Sequence, residues 1–404
     1  MKGRAGALRQ RAVQRLFTVS AVEASGLSRN LGHRLPVGVI PRVERRNIAQ
    51  VAVLGQAPGM DQIDRRTFLV TAGAAAAVPS VAGAQEPGGG WVSKAPLPWA
   101  VQEIYCAVSS GRIVIAGGLR RPARVTEIED RTGVYDPSAD MWSEGPRLPQ
   151  PRHHPMVVTC GGALMIVGGY GRTDAGDWTA MTDAWMADGE AWTAVAPLPT
   201  PLSESVGVDL AGRAHLVTGR RPLGAANGQW NDQSDVADHW AYDRDADRWD
   251  AMRPAPMARN SAAGAVLDGA LWVAGGRTVS GGGTGRLDRY EPVEDRWDTL
   301  APIPASPATG QQVGGGLAMA AAGGRLVAFG GEWFAPGGGG VFAETWIYDP
   351  TADRWTAGPP MRTPRHGLAA AAIDQTVYAI AGGEVVSGGR AGGVVEAMEP
   401  GLFY

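Results

Sequence analysis

Three short segments place arginine beside histidine or an amide, and these side chains could bind a ligand or move a proton. They are Arg152-His153-His154, Arg259-Asn260 and Arg365-His366. A guanidinium group binds a carboxylate through two parallel hydrogen bonds, and histidine exchanges protons near neutral pH. The arginines recur at one place in a repeating pattern. Pairing with turn carboxylates or backbone carbonyls is therefore an equally open interpretation.

The histidines also raise the question of a metal site. His153 and His154 are adjacent, and neighbouring side chains of a strand point to opposite faces, so both reach one ion only if the chain bends. Cys106 and Cys160 are the only cysteines, too few for a multi-cysteine metal site or a disulfide framework. The glycine runs 281–283 and 337–340 follow strands but open no helix, unlike phosphate-binding loops. We predict neither a bound metal nor a cofactor.

A repeated phrase indicates what positions these residues. Five times an aromatic residue is followed seven positions later by tryptophan: Tyr135/Trp142, Trp185/Trp192, Tyr242/Trp249, Tyr290/Trp297 and Tyr348/Trp355. A glycine pair precedes nearly every copy, and a Pro-x-Pro segment usually follows. Recurrence at about 50 residues is typical of a repeat architecture.

Short apolar strands end at these glycines, as 113–116 does before Gly117-Gly118. The six glycine positions predict six units, each with four strands. Glycine permits positive φ and a close backbone approach where the chain leaves a crowded strand. The last unit lacks a fourth strand, and we expect residues 90–94, with Trp91, to supply it from the other end of the chain. Such closure removes exposed sheet edges.

Together the glycine pairs, the phrase Tyr-Asp-Pro-x-x-Asp-x-Trp at 135–142 and 348–355, and Pro-Arg at 151–152 and 364–365 resemble the kelch family over roughly residues 90–404. The resemblance implies an all-β fold. We expect a six-bladed kelch-type β-propeller over residues 85–404, with four antiparallel strands per blade and a last blade closed by an N-terminal outer strand. Unit three departs from the pattern by losing one glycine, and unit two has no Asp-Pro after Trp185.

In kelch propellers, partners bind on a face built from the start of each first strand and from the loop after each glycine pair. The first group of positions corresponds here to Gln102, Glu103, Arg152, His153, His154, Ser203, Glu204, Arg259, Asn260, Gln311, Gln312, Arg365 and His366. The second corresponds to Arg120, Arg121, Tyr170, Arg172, Arg220, Arg221, Arg277, Glu332, Trp333 and Glu384. We expect ligand binding by Arg152, His153, Arg259, Asn260, Arg277, Trp333, Arg365 and His366. Arginines suit a carboxylate, and Trp333 could stack on a sugar.

Two enzymatic alternatives follow from resemblance alone. A six-bladed exported kelch protein resembles periplasmic sugar mutarotases, in which case Glu103 or Glu204 is the candidate base. Catalytic residues are otherwise unknown. Galactose oxidase, a copper enzyme of the kelch type, uses two tyrosines and two histidines, one tyrosine being crosslinked to cysteine. Cys106 lies beside Tyr105 here, but that enzyme has seven blades and its Tyr-His ligand pair has no match.

Charge limits the partners. Residues 85–404 carry 25 basic and 36 acidic side chains, a net charge of −11. An acidic body with Lys94 as its single lysine argues against nucleic acid or an anionic membrane surface. We expect a small-molecule ligand (a saccharide or a carboxylate) or a protein ligand, and a monomer.

The N-terminal region has the features of an export signal. Arg65-Arg66 precedes Phe68-Leu69 and an apolar, alanine-rich run, and Ala82-Gly83-Ala84 suits cleavage. The paired arginines resemble a twin-arginine signal, here residues 60–84. Residues 1–59 place that pair too far from Met1, so we interpret them as a disordered or wrongly assigned lead before a start at Met60. We expect a periplasmic or secreted protein with no stable membrane insertion after cleavage.

We therefore predict an exported propeller that binds a saccharide, an acidic small molecule or an envelope protein at the face of its central channel. The alternative is a carbohydrate-active enzyme, a mutarotase or epimerase before a copper oxidase.

Overall fold

The computed structural model describes residues 90–122, 125–173, 178–189 and 191–399. The predicted lead (1–59) and export signal (60–84) lie outside the described residues. Across these segments no helix combines the length and apolar character needed to cross a bilayer.

Short strands separated by tight turns form six four-stranded antiparallel sheets. The chain begins with β1 (Trp91–Ser93), then builds blade one from β2 (Cys106–Ser109), β3 (Arg112–Ala116), β4 (Leu119–Arg120), β5 (Glu127–Ile128), β6 (Thr132–Asp136) and β7 (Met141–Glu144). Blade two contains β8 (Met156–Cys160), β9 (Ala163–Val167), β10 (Tyr170–Arg172), β11 (Trp178–Ala180), β12 (Ala184–Asp188) and β13 (Ala191–Val195).

The next two blades follow the same plan. Blade three contains β14 (Val206–Leu210), β15 (Arg213–Val217), β16 (Arg220–Pro222), a 3-10 turn (Trp230–Asp232), β17 (Gln233–Asp235), β18 (His239–Asp243) and β19 (Arg248–Ala251). Blade four contains β20 (Ala263–Leu267), β21 (Ala270–Ala274), β22 (Leu287–Glu291) and β23 (Arg296–Leu300).

The last two blades complete the circle. Blade five contains β24 (Leu317–Ala322), β25 (Arg325–Gly330), β26 (Glu332–Ala335), β27 (Gly338–Val341), β28 (Thr345–Asp349) and β29 (Arg354–Ala357). Blade six contains β30 (Ala369–Ile373), β31 (Thr376–Gly383) and β32 (Ala391–Met398). Small hairpins, β4-β5, β10-β11, β16-β17 and β26-β27, extend the loop between the second and third strands of four blades.

The first strands of the six blades contact one another in a closed circle, β2, β8, β14, β20, β24, β30 and back to β2. They therefore line the central channel of a six-bladed β-propeller, and the predicted fold is confirmed. The predicted closure is confirmed as well. Strand β1 pairs with β32, with Trp91 opposite Met398. The Trp91 indole is buried against Phe329 and donates from Nε1 to Thr345 Oγ1 at 3.1 Å.

Blade six differs from the prediction in one respect. Its second and third strands each have eight residues, because they continue where the other blades have a separate hairpin or loop. The ladder shifts register between Ile380 and Gly382. The left-handed residue between them, Ala381 (φ 53°), absorbs the shift.

The repeated aromatic phrase joins each blade to the chain segment before it. In blade five the Tyr348 hydroxyl donates to Asp353 Oδ1 at 2.7 Å, and the same oxygen accepts the Ala301 N–H at 2.8 Å. Trp355 Nε1 donates to the carbonyl of the same Ala301 at 2.8 Å. Blades one, three and four repeat this arrangement with Asp140, Asp247 and Asp295. The repeated aromatic phrase therefore links consecutive blades through hydrogen bonds.

The glycine pairs make a second contact between blades. Gly118 donates its N–H to the carbonyl of Arg152 in the next blade at 2.8 Å, and Gly331 does the same to Arg365 at 3.0 Å. The preceding Gly117 has φ 68°, and a Cβ there would lie 2.3 Å from the Arg152 carbonyl oxygen. Glycine is required at this position because any side chain would separate the blades.

Candidate functional site

A ring of left-handed residues closes one end of the channel. In five blades, the residue just before the ring residue forms a β-bridge to the chain just after the second strand, as His153 does to Tyr170. The next residue has positive φ in every blade: Glu103 (58°), His154 (49°), Glu204 (53°), Ser261 (50°), Gly316 (70°) and Gly367 (56°). The sequence did not predict this conformation, which is uncommon for residues other than glycine.

Backbone hydrogen bonds run around this ring. The N–H of Glu103 donates to Gly367 O at 2.7 Å, and the N–H of His154 donates to Glu103 O at 3.0 Å. The bonds Ser261 to Glu204, Gly316 to Ser261 and Gly367 to Gly316 continue the circle at 2.8–3.1 Å. These bonds link five of the six neighbouring pairs of ring residues, and four of the ring residues carry polar or charged side chains: Glu103, His154, Glu204 and Ser261.

Glu103 and His154 form the first pair of the cluster. His154 Nε2 lies 2.7 Å from Glu103 Oε2, and His366 Nδ1 lies 3.7 Å from Glu103 Oε1. Burial alone would raise the pKa of Glu103, but His154, His366 and Arg277 outweigh it and hold that pKa well below its usual range. Burial would lower the pKa of His154, but Glu103 and Glu204 raise it above its usual value. An ionised carboxylate therefore faces an imidazole whose protonated form it stabilises.

Glu204 anchors the opposite side of the cluster. Its carboxylate accepts from the Ser261 hydroxyl at 2.6 Å and the Tyr170 hydroxyl at 3.2 Å, and Arg220 lies 3.5 Å away. Burial would raise the pKa of Glu204, but the charges of Arg220, His154 and Arg277 lower it. Glu204 is therefore ionised although its side chain is fully buried.

Arg277 joins three carboxylates. Its guanidinium group lies 2.5 Å from Glu332 and 3.7 Å from Glu204, and its Nε donates to Asn260 Oδ1 at 3.2 Å. Burial would lower the pKa of Arg277, but Glu332, Glu204 and Glu103 raise it. The side chains of Arg277 and Glu103 are 21% and 14% exposed, whereas those of Glu204 and Glu332 are almost inaccessible. A ligand would therefore meet Arg277 and Glu103 first.

Residues 384–390 of blade six cover part of the cluster. Ser387 donates its N–H to Glu332 Oε2 at 2.7 Å. His366 Nε2 lies 2.9 Å from the Val385 carbonyl and 3.0 Å from the Ser387 carbonyl, and since both partners are acceptors, Nε2 is the donor. His366 thus lies in the cluster as predicted, but its ring also fastens this loop.

His153 lies behind the cluster. Its ring stacks on Tyr170 at 4.9 Å and contacts Trp178 at 4.3 Å. The left-handed turn at His154 supplies the bend needed for neighbouring histidines to meet, and their Nδ1 atoms are 2.8 Å apart. Burial, with the charge of His154, holds the pKa of His153 well below its usual value. The protonated form of His153 is therefore disfavoured, whereas that of His154 is favoured.

The three arginines that follow the Pro-x-Pro segments lie inside the blades, which corrects the predicted ligand clamp. Arg152 donates to Asp183 at 2.8 Å, Arg259 to Asp288 at 2.8 Å and Arg365 to Glu396 at 3.0 Å. Their side chains are at most 1% exposed. Each carboxylate lies in or next to the third strand of the same blade, so the arginine crosses its own sheet. These arginines therefore have the structural role, pairing with carboxylates and backbone carbonyls, that the repeat pattern also allowed.

Three further candidates, Trp333, Gln311 and Gln312, lie outside the cluster. Trp333 lies in β26 opposite Gly340, and its ring covers that glycine within its own hairpin. Gln311 and Gln312 do not occupy the ring position of blade five, because a turn at 306–310 moves the register and Gly315-Gly316 stand there instead. Asn260 lies where predicted, beside Arg277, and donates to Asp235 at 2.5 Å.

The candidate metal ligands are spread over the described residues. Among the described residues, no three histidine, cysteine, aspartate or glutamate side chains are arranged to hold a metal ion. The Cys106 thiol donates to the Ala370 carbonyl at 3.0 Å, and burial raises its pKa to about 12. This thiol is therefore neutral.

Sequence reasoning missed Ser261, although it follows Asn260 as His154 follows His153. Aligning the residue after each predicted strand start, rather than the start itself, would have found it. The covering loop 384–390 carried no sequence signal beyond its glycines, because its contacts depend on partners from other blades.

Comparisons with known proteins agree with this architecture. A Kelch motif matches residues 314–362. The chain is 25% identical over 196 residues to Kelch-like protein terF of Aspergillus terreus, covering 46% of this chain and 41% of that protein. It is 29% identical over 133 residues to Kelch-like protein 35 of Mus musculus, covering 32% and 21%. The chain thus spans less than half the length of these curated relatives.

A solved structure titled "Structure of YjhT" matches with a TM-score of 0.61 and 15% identity, covering 75% of this chain and 96% of that one. At this identity the likeness concerns the fold alone. The chain is similar to these proteins in its repeats and blades, and it is a six-bladed β-propeller that carries a Kelch motif.

Proposed function

We propose that this chain is an exported propeller that binds a saccharide at the ring end of its channel. The observation that carries the proposal is that the cluster presents a partly exposed carboxylate, Glu103, and a partly exposed guanidinium group, Arg277, whose charges interact, while His366 and Glu204 hold them from the buried side. Adjacent sugar hydroxyls can donate to the first group and accept from the second. Charged partners make such hydrogen bonds about twice as strong as neutral ones.

The charge of the cluster favours a hydroxyl-rich ligand over an acidic one. Three carboxylates, those of Glu103, Glu204 and Glu332, surround Arg277 and compete for it. An incoming carboxylate would meet these like charges in a poorly solvated site, where their repulsion is strong. The remaining alternative is an envelope protein, which would instead bind the small hairpins β4-β5, β10-β11, β16-β17 and β26-β27.

Export rests on the N-terminal sequence, with its paired arginines, apolar run and small residues at the cleavage position. We assign the mature protein to the periplasm or the exterior. Fractionation of cells that express the full-length chain tests this directly, and a product that stays at full length in the cytoplasm contradicts it.

A glycan array probed with the purified full-length chain tests the binding proposal. We expect saccharide binding by the natural chain and its loss in Glu103→Gln, which keeps the side-chain shape but removes the charge. The matched control is Glu294→Gln, an exposed glutamate that follows β22. If no saccharide binds, or if both variants bind as the natural chain does, the channel is not a saccharide site.

Mutarotase-type catalysis is a second candidate, favoured by the Glu103–His154 pair. Ring opening removes the proton of the anomeric hydroxyl and adds a proton to the ring oxygen, so it needs a base and an acid. Protonated His154 could serve as the acid. The strongly lowered pKa of Glu103 makes it a weak base, and binding therefore stands ahead of catalysis. Anomer exchange followed by NMR separates the two, because a pure binder leaves the exchange rate unchanged.

A further inference from the structure

A second concavity opens between blades six and one, and the end of the loop 384–390 separates it from the channel cluster. Its volume is about 580 Å³, within the range of small-molecule sites. Four of its lining residues are arginines, Arg120, Arg121, Arg131 and Arg390, and a fifth is Trp99. Four guanidinium groups around one cleft are unusual for a chain whose body is acidic.

Two of these arginines are held in place by the protein. Arg131 lies 2.5 Å from Glu129, and its guanidinium group covers the Trp99 ring at 4.4 Å. Arg120 lies 2.6 Å from Glu127 and 3.3 Å from the same Glu129. These contacts form a fixed wall on blade one, and their carboxylates offset part of its positive charge.

The other two arginines carry the surplus charge. Arg390, in the loop of blade six, is 69% exposed and lies 3.9 Å from Glu384. Arg121 is exposed, and within the described segments it has neither a hydrogen bond nor an ion pair. The four arginines therefore outnumber the carboxylates that pair with them, Glu127, Glu129 and Glu384. An exposed guanidinium group at the edge of this wall is available to bind an anionic group.

We propose that this cleft binds a small organic or inorganic anion with at least two acidic groups, carboxylates or phosphates, at a site independent of the channel. Arginine matches both chemistries because its planar fork forms paired hydrogen bonds with either oxyanion. One acidic group meets the wall at Arg120 and Arg131, and the second is met by Arg121 and Arg390. The propeller would then bind an acidic ligand in this cleft and a hydroxyl-rich ligand at the channel.

Calorimetric titration of the full-length chain with citrate and with pyrophosphate tests this, and the two probes distinguish carboxylate from phosphate. We expect saturable binding of at least one probe. Arg121→Gln/Arg390→Gln should weaken that binding by roughly tenfold or more. Both residues are exposed, so this variant should fold normally, which its melting temperature checks.

The matched control is Arg248→Gln/Arg296→Gln, which removes the same charge from the outer strands β19 and β23. It should bind as the natural chain does. Absence of saturation with both probes overturns the proposal, as does an equal loss of affinity in the two double variants, which would show only a general charge effect. Glu103→Gln should leave this binding unchanged, so failure of the channel proposal is recognisable separately.

Discussion

Replacing Arg365 by methionine should unfold the protein more readily rather than abolish only ligand binding. The guanidinium group donates to the carbonyls of Ala381 at 2.8 Å, Thr363 at 2.7 Å and Ala379 at 3.0 Å, and to Glu396 at 3.0 Å. Methionine leaves the Glu396 carboxylate buried with one remaining donor, the Thr363 N–H. Breaking a buried ion pair in this way costs about 3–5 kcal/mol.

The loss of unfolding free energy in Arg365→Met can be measured by urea denaturation, with tryptophan fluorescence as the signal. A loss of about 4 kcal/mol in a propeller of roughly 300 residues lowers the melting temperature by about 6 °C. The variant Arg365→Met/Glu396→Leu removes both charges and should recover a large part of the loss. Arg354→Met, at an exposed position on β29, should change the free energy of unfolding by less than about 0.5 kcal/mol.

One result would refute this reasoning. If Arg365→Met is as stable as Arg354→Met and loses ligand binding, the arginine is a clamp and its contacts with the blade contribute little. A loss of stability that the double variant does not relieve would show instead that the three carbonyl contacts, and not the ion pair, hold the blade.

The remaining predictions concern the closure, the link between consecutive blades and the histidine of the cluster. Trp91→Ala should lower the free energy of unfolding, measured in urea, by about 3–5 kcal/mol. Trp91→Phe should lower it by less, because phenylalanine keeps most of the buried ring. Equal losses in the two variants would show that the hydrogen bonds to Thr345 and Pro359 hold the strand instead. Asp353→Ala should cost about 1–3 kcal/mol, because the Ala301 N–H and the Tyr348 hydroxyl both lose their acceptor, and an unchanged melting temperature contradicts this link. The raised pKa of His154 means that its stabilisation is full below about pH 6.5 and is lost as the pH rises through the folded-state pKa. The stability difference between the natural chain and His154→Gln should therefore shrink from pH 6 to pH 9, and a difference that grows has the wrong sign.

The fold was predictable because its signals are local and repeated. Glycine at 117 is required by a carbonyl 2.3 Å from the Cβ it lacks, and the spacing from Tyr348 to Trp355 is set by one four-residue turn, 350–353. Such requirements recur in blade after blade, so the sequence displays them several times. The partner of Trp91 was predictable for the same reason, since only one blade lacked its fourth strand.

The site was predictable only in part, because its geometry depends on contacts between different blades. Glu103, Glu204 and Arg277 come from blades one, three and four, and no spacing in the sequence sets the distances between them. Arg152 and Arg365 were selected for their charge, but burial decides their role, and the carboxylates that satisfy them lie about 30 residues away on the third strand. The charge of a side chain can be read from the sequence, whereas its exposure depends on how the blades pack.

The ring itself gives a reason to connect these side chains with function. Gly316 and Gly367 occupy the same left-handed position as Glu103, His154 and Glu204, so glycine is compatible with the fold there. A residue other than glycine in this conformation costs about 1 kcal/mol or more. The backbone bonds around the ring need only an N–H and a carbonyl, which glycine also provides. Blades one to four thus carry conformational strain that blades five and six avoid, and the side chains they place there form part of the polar cluster at the channel. Left-handed residues also occur in turns elsewhere, as at Asp353, but at the ring their side chains meet, which supports the proposal that the ring end of the channel is the functional surface of the propeller.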